Sequence, residues 1–219
     1  MTPSTLLVAD DHPLFRAAVL HALTTRFPGV ATAEASSVST LGAALDAHPE
    51  VSLVLLDLAM PGARGLSALA LLRGERPDLP VVVISSNDDP RVIRRAQQFG
   101  AAGFIPKSSQ VEVIGEAVAT VLAGGTWFPP LTAARSEEDA QLAARLAQLT
   151  PQQFRVLMLL AEGLLNKQIA AALGLAENTV KIHVGAVLSK LNCRSRTQAA
   201  VMVRSLELDD VPAADDALS

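Results

Sequence analysis

Short apolar runs punctuate the first half of the chain at Leu6-Leu7-Val8-Ala9, residues 51–56, Val81-Val82-Val83-Ile84 and Gly103-Phe104-Ile105, with amphipathic stretches of helical length between them. Unbroken runs of this kind suit strands buried on both faces, and the intervening helices suit right-handed crossovers in a parallel sheet. With a weaker run at Ala31–Ala35, whose alanines favour helix intrinsically, the pattern predicts five strands and five helices. The fold class is a doubly wound, flavodoxin-like α/β unit over residues 1–123. Gly124-Gly125 and Pro129-Pro130 then interrupt the pattern, and residues 136–148 read as a polar, Ala-rich helix that connects rather than packs. From residue 149 no strand signal remains. Four helices are expected, at 151–162, 167–173, 177–191 and about 195–206, followed by an acidic, frayed tail at 207–219. The expected organisation is therefore 1–123, a linker at 124–148, an all-α unit at 149–206, and the tail.

Half of the residues are hydrophobic and 18% are charged, which suits a globular protein. The single cysteine, Cys193, rules out an internal disulfide framework and points to a reducing compartment, so a cytoplasmic location is expected. No apolar run reaches the roughly 18 to 20 residues of a membrane span, and the first residues lack a secretory pattern. The net charge of −4 argues against nucleic acid only until it is partitioned. Residues 1–123 carry −3, 124–148 carry −1, 149–206 carry +5 and 207–219 carry −5. The compact positive block is an electrostatic footprint for a polyanion, or an ordinary basic surface.

Candidate chemistry in the first unit lies at strand ends. Asp10 and Asp11 end the first strand, Asp57 the third and Ser85 the fourth, while Lys107 follows the fifth. In an open parallel sheet these ends border one crevice. Each residue alone has a bland alternative: Asp11 a helix cap, Asp57 a loop start, Ser85 a turn hydrogen bond, Lys107 a solvated charge. Together, several carboxylates call for a cation, and oxygen ligands point to Mg²⁺ rather than Zn²⁺. With that charge offset, Asp57 could attack a phosphoryl group.

Through Asp10-Asp11, Asp57-Leu58-Ala59-Met60-Pro61-Gly62, Ser85-Ser86 and Phe104-Ile105-Pro106-Lys107, residues 4–123 resemble the receiver domain of two-component response regulators. The resemblance implies that Asp57 is the phosphoacceptor and that Asp11, Asp57 and the Ala59 carbonyl hold Mg²⁺ with help from Asp10. It also implies that Lys107 and Ser85 contact the phosphoryl group and that Phe104 is a rotamer switch; a plain core role is the alternative for Phe104. Arg64 stands where such domains often have an acidic or amide residue.

In the second unit, Thr150-Pro151-Gln152-Gln153 is a helix start with a capping box. Gly163 stops that helix, Asn166 is expected to cap the next, and Gly174 turns into the third. Two short helices, a Gly-containing turn and a longer helix signal a helix-turn-helix. On the long helix Val180, Val184, Val187 and Leu191 form the buried stripe. Asn178, Lys181, Ile182, Gly185 and Ser189 form the opposite face, suited to base edges in a major groove. Lys167, Thr179, His183, Lys190, Arg194 and Arg196 flank it as phosphate contacts or solvated side chains.

Leu164-Leu165-Asn166-Lys167-Gln168-Ile169-Ala170 and Glu177-Asn178-Thr179-Val180-Lys181-Ile182-His183 resemble the output domain of the NarL/FixJ (LuxR-type) regulators over residues 149–203. That resemblance implies a four-helix domain whose third helix reads double-stranded DNA and whose fourth pairs in a homodimer. It carries base contact onto Lys181, Ile182 and Gly185. Three departures stand out: Gly185 lacks the longer side chain common there, Ala176 lacks a capping hydroxyl, and Leu165 replaces a common Ser or Thr.

The function expected is a response regulator, not an enzyme: a sensor histidine kinase phosphorylates Asp57, and the output domain dimerises on half-sites spaced about 10 bp apart to regulate transcription, with RNA polymerase as a further partner. The opposite charges of the two units suggest that the receiver docks over the recognition helix. Two rivals are a phosphoaspartate hydrolase, which would want Asp-x-Asp where Asp10-Asp11-His12 stands, and the same transcription factor controlled by a ligand or partner.

Overall fold

The structure is a computed structural model and describes residues 5–63, 65–130 and 137–204. The readings placed on Arg64, on positions 136, 205 and 206 and on the tail at 207–219 lie outside the described residues.

The apolar runs become β1 (Thr5–Ala9), β2 (Ala31–Ala35), β3 (Val51–Asp57), β4 (Val81–Ser85) and β5 (Gly103–Pro106). They form one parallel sheet in the order β2-β1-β3-β4-β5. Between and after them run α1 (Pro13–Arg26), α2 (Val38–Ala47), α3 (Ser67–Glu75), α4 (Pro90–Gln98) and α5 (Val111–Leu122). Successive strand residues serve opposite faces, as a period of two requires. Leu7, Val54, Val83 and Phe104 pack with Leu41, Leu69 and Ile93 beneath α2, α3 and α4. Leu6, Leu53, Val82 and Ile105 pack with Val19, Leu23, Ile114 and Val118 beneath α1 and α5. The Ala-rich β2 is a strand because all five of its residues pair with β1; as an edge strand it buries Ala33 and Ala35 and leaves Glu34 exposed.

Past α5 the chain returns to the sheet. The Trp127 carbonyl accepts the Phe104 N–H at 2.7 Å, and the Trp127 N–H donates to the Ala102 carbonyl at 3.1 Å, so this segment covers the free edge of β5. The next helix, α6 (Glu137–Leu146), does pack, contrary to the expectation of a bare connector. Its apolar positions Leu142, Ala143 and Leu146 lie on one face, and Ala143 and Leu146 line a cavity together with Ala70, Phe99 and Gly100 of the first unit.

The C-terminal unit consists of α7 (Pro151–Ala161), α8 (Asn166–Leu173), α9 (Glu177–Lys190) and α10 (Arg196–Arg204). Phe154, Leu157, Ile169, Val180, Val187, Leu191, Ala199 and Val203 fill its core. The Thr150 hydroxyl accepts the Gln153 N–H at 3.3 Å, while Gln153 Oε1 accepts the Thr150 N–H at 3.1 Å, which is the expected capping box. Asn166 is not the cap of α8. It is the first helical residue, Leu165 stands at the N-cap, and Gln168 Oε1 accepts the Leu165 N–H at 2.7 Å, so only half of a capping box forms. Gly174 closes α8 in the left-handed region at φ 64°, which glycine adopts without a Cβ clash.

Candidate functional site

The switch in strand order falls between β1 and β3, and the crevice there is lined by the residues that end those strands. Asp57 closes β3 and is 1% exposed; Asp10, one residue past β1, is 2% exposed. Asp11 is half-buried beside them. Lys107 is drawn in from the end of β5, its backbone N–H donating to the Ser85 carbonyl at 2.8 Å. Its Nζ lies 2.8 Å from Asp57 Oδ2 and 2.8 Å from Asp10 Oδ2, and 4.9 Å from the centre of the Phe15 ring. Burial pulls the pKa of this ammonium down, but the hydrogen bonds to Asp10 and Asp57 and their charges outweigh it and hold it above its ordinary value.

The remaining carboxylate oxygens are turned by the backbone. Asp57 Oδ1 accepts the Ala59 N–H at 3.1 Å, and Asp10 Oδ1 accepts the His12 N–H at 2.7 Å. One ligand atom each from Asp10, Asp11, His12 and Asp57 lies within 4.8 Å of the others. Three carboxylates against one lysine leave the pocket short of positive charge, so the donor set fits a small divalent cation held by oxygen. Ser85 is buried at the end of β4, where its Oγ accepts the Asn87 N–H at 3.1 Å, leaving its own proton for another acceptor. Phe104 is fully buried and packs as a core aromatic in this conformation.

Two neighbours went unrecognised in the sequence. His12 Nδ1 lies 2.7 Å from Asp11 Oδ1; its adjacency to the acidic pair was the available signal. Arg16, one turn into α1, donates to the Asp10 carbonyl at 2.7 Å and to Glu34 of β2 at 2.7 Å. No spacing rule announces that contact, because it joins α1 to the end of β1 and to a strand on the sheet edge.

On α9, Val180, Val187 and Leu191 are buried and Val184 half-buried, as the stripe requires, while Asn178, Lys181, Ile182, Gly185 and Ser189 are all exposed. Ile182 is 72% exposed, an apolar side chain held in water on an otherwise polar helix face. Thr179 and His183 are half-buried beside it, and Lys167 and Arg194 are exposed. Two flanking bases are engaged within the protein. Lys190 Nζ donates to the Gln148 carbonyl at 2.8 Å and to Gln153 Oε1 at 2.7 Å, tying the end of α9 to the cap of α7. Arg196 donates to the Leu164 carbonyl at 2.6 Å. Lys190, read as a phosphate contact or a solvated side chain, is not simply solvated: it secures the helical core, because the end of α9 falls against the start of α7.

Among the described residues, the first unit does not cover this face. The two units meet through α3 and α7, where Glu75 pairs with Arg155, and the connecting helix α6 packs on α4. The exposed residues of α9 remain open to solvent, so the charge-based expectation of docking over this helix is corrected: Arg155, on a different helix, is a basic partner of the acidic unit.

Comparison with known proteins follows the same division. Residues 6–119 match the response regulator receiver domain, and residues 147–203 match the bacterial regulatory proteins of the luxR family. A glycerol metabolism activator of Pseudomonas putida is 40% identical over 211 residues, covering 92% of this chain and 96% of that protein. The nitrate/nitrite response regulator NarL of Escherichia coli is 34% identical over 206 residues, covering 92% and 95%. A LuxR family DNA-binding response regulator from Silicibacter pomeroyi superposes with a TM-score of 0.51 at 36% identity, over 58% of this chain and 97% of its own. Among the described residues no helix is long and apolar enough to cross a membrane.

Proposed function

The chain belongs to the response regulators that join a receiver domain to a LuxR-type DNA-binding domain, and on that premise we propose that Asp57 is its phosphoacceptor. The observation that carries this reading is the burial of Asp57 at the end of β3, in hydrogen-bond contact with Lys107 and beside Asp10 and Asp11. The proposed division is a receiver at 1–123, a linker at 124–148, the DNA-binding domain at 149–206 and an acidic tail at 207–219.

Asp11, Asp57 and the Ala59 carbonyl would hold Mg²⁺, with Asp10 fixing the loop and balancing charge. When bound, the cation supplies compensation for the negative charge that gathers as phosphorus is transferred. A sensor histidine kinase presents its phosphohistidine, and an Asp57 carboxylate oxygen attacks the phosphorus in line. The phosphorus–nitrogen bond breaks, its electron pair stays on the imidazole, and an aspartyl phosphate remains. Lys107 follows the charge from carboxylate to phosphoryl oxygen, and the Ser85 hydroxyl donates a hydrogen bond to the same group. Phosphoryl transfer to this aspartate is a signalling event rather than turnover of a substrate, so the chain is a regulator and not an enzyme.

Downstream, two output domains dimerise on double-stranded DNA. Asn178, Lys181, Ile182, Gly185 and Ser189 face the major groove, and Lys167, Thr179 and His183 lie at the phosphates. RNA polymerase is the further partner and the cytoplasm the site of action. Acetyl phosphate or beryllofluoride with Mg²⁺ tests the scheme: an Asp57-dependent mass increase, or dimerisation absent from Asp57→Asn, is expected. A chain that neither gains mass nor dimerises is not controlled through this residue.

A further inference from the structure

We infer that Arg16 is a positioning residue for the metal site, acting on Asp11 through the peptide bond that Asp11 shares with Asp10. The inference rests on the assignment of Asp11 and Asp57 as Mg²⁺ ligands. Asp57 closes a strand buried on both sides and is held by the sheet. Asp11 lies outside the sheet, in the short Asp10-Asp11-His12 connection before α1, and is the most exposed of the three carboxylates. The placement of its carboxylate therefore depends on that connection.

The connection is bracketed atom by atom. The Asp10 N–H donates to the Ala35 carbonyl at 3.0 Å, and Asp10 Oδ1 accepts the His12 N–H at 2.7 Å. The Asp10 carbonyl accepts Arg16 Nη1 at 2.7 Å. A peptide unit is planar, so fixing the carbonyl of Asp10 fixes the plane that contains the nitrogen and Cα of Asp11. Arg16 can do this because its guanidinium is anchored at a second point, with Nε donating to Glu34 at 2.7 Å. Its side chain is 18% exposed, so the fork is held within the protein surface. A planar guanidinium with two fixed directions suits this bridge; a lysine ammonium offers a point charge instead.

Charge and position predict opposite signs. If Arg16 acted by its charge, removing it would tighten the binding of a cation. If it holds the Asp10–Asp11 peptide, removing it weakens binding, by about tenfold for a residue that orients a metal ligand without touching the metal. The experiment is calorimetric titration of Mg²⁺ into the full chain for the native protein, Arg16→Gln and Arg16→Lys, with thermal unfolding in chelator to establish that each variant is folded. We expect Arg16→Gln to raise the Mg²⁺ Kd threefold or more, while the rate of phosphorylation by acetyl phosphate at saturating Mg²⁺ stays within twofold of the native rate. A Kd that tightens, or rises by less than threefold, overturns the inference and leaves the metal reading intact. Should Arg16→Gln not fold, Arg16→Lys decides on the same threshold, since it keeps the charge and loses the planar two-direction fork. If the native chain itself binds no Mg²⁺, the metal reading fails and the inference with it.

Discussion

Arg155 on α7 forms an ion pair with Glu75 on α3, a charged link between the receiver and the DNA-binding domain. Arg155 is half exposed, so the pair contributes at most about 1 kcal/mol. A seam this lightly charged is suited to being opened. Glu75→Gln should raise the DNA affinity of the unphosphorylated chain by about two- to fivefold. Fluorescence anisotropy on an oligonucleotide selected from a random pool measures it; an unchanged or lowered affinity would show that the seam does not restrain the output domain.

Lys107 is the partner of both Asp10 and Asp57, each almost fully buried. Lys107→Ala leaves two carboxylates with no ammonium between them, and removing one member of a buried ionic group costs about 3–5 kcal/mol. That cost should appear in urea unfolding with chelator present and shrink in saturating Mg²⁺. A cost below about 1 kcal/mol in chelator would show that Lys107 does not hold the pocket together.

The strands and the helix-turn-helix were legible because each rests on a repeating pattern: apolar runs at Leu53-Val54-Leu55-Leu56 and Val81-Val82-Val83-Ile84, a four-three-four stripe on α9. The candidate phosphoacceptor site was legible because a parallel sheet gathers strand ends that are far apart in sequence. What escaped was the work of long side chains. Lys190 and Arg196 look like phosphate contacts in a list of basic residues, yet both find partners within the fold, Gln148 and Gln153 for one and Leu164 for the other. Arg16 escaped for the same reason. The packing of α6 escaped because a short apolar face among acidic residues gives a weak signal until α4 is there to meet it.

Gly185 lies on the open face of α9, where an added Cβ would meet nothing within 4 Å. Gly185→Ala should therefore stabilise the domain by about 1 kcal/mol, read as a shift in the urea midpoint. Gly185→Arg should add a phosphate contact and steepen the slope of log K against log salt by about one unit. An unchanged slope would place this position away from the DNA backbone.

The two helices of the reading motif begin on residues whose side chains cannot accept a hydrogen bond: Leu165 at α8 and Ala176 at α9. Both N-caps have the extended backbone that a capping side chain needs. Ala176→Ser and Leu165→Thr are each expected to add about 0.5–2 kcal/mol of stability. Thermal unfolding of the variants decides, and a loss of stability in both would mean that the exposed caps serve another purpose.

Cys193 is buried, and burial pushes its thiol above the usual range while the charge of Arg145 opposes the shift. A raised native pKa makes the stabilising contribution fully present below the unfolded thiol value of about 8.5 and lost as pH rises through the native value. Cys193→Ala should accordingly flatten the alkaline side of the stability profile, and native Cys193 should react with a disulfide reagent at pH 8 only as fast as the domain opens. Immediate stoichiometric labelling would refute the burial.

Trp127, which seals the free edge of β5, is the chain's one tryptophan, and the chain has no tyrosine. Its near-ultraviolet emission is thus a single-site spectrum, free of background from other indoles or phenols. The edge it covers adjoins Phe104 on one side and leads toward the linker on the other. The protein carries its own optical gauge where the sheet of the first unit meets the chain that leads to the second, and stopped-flow emission can follow changes there without any dye.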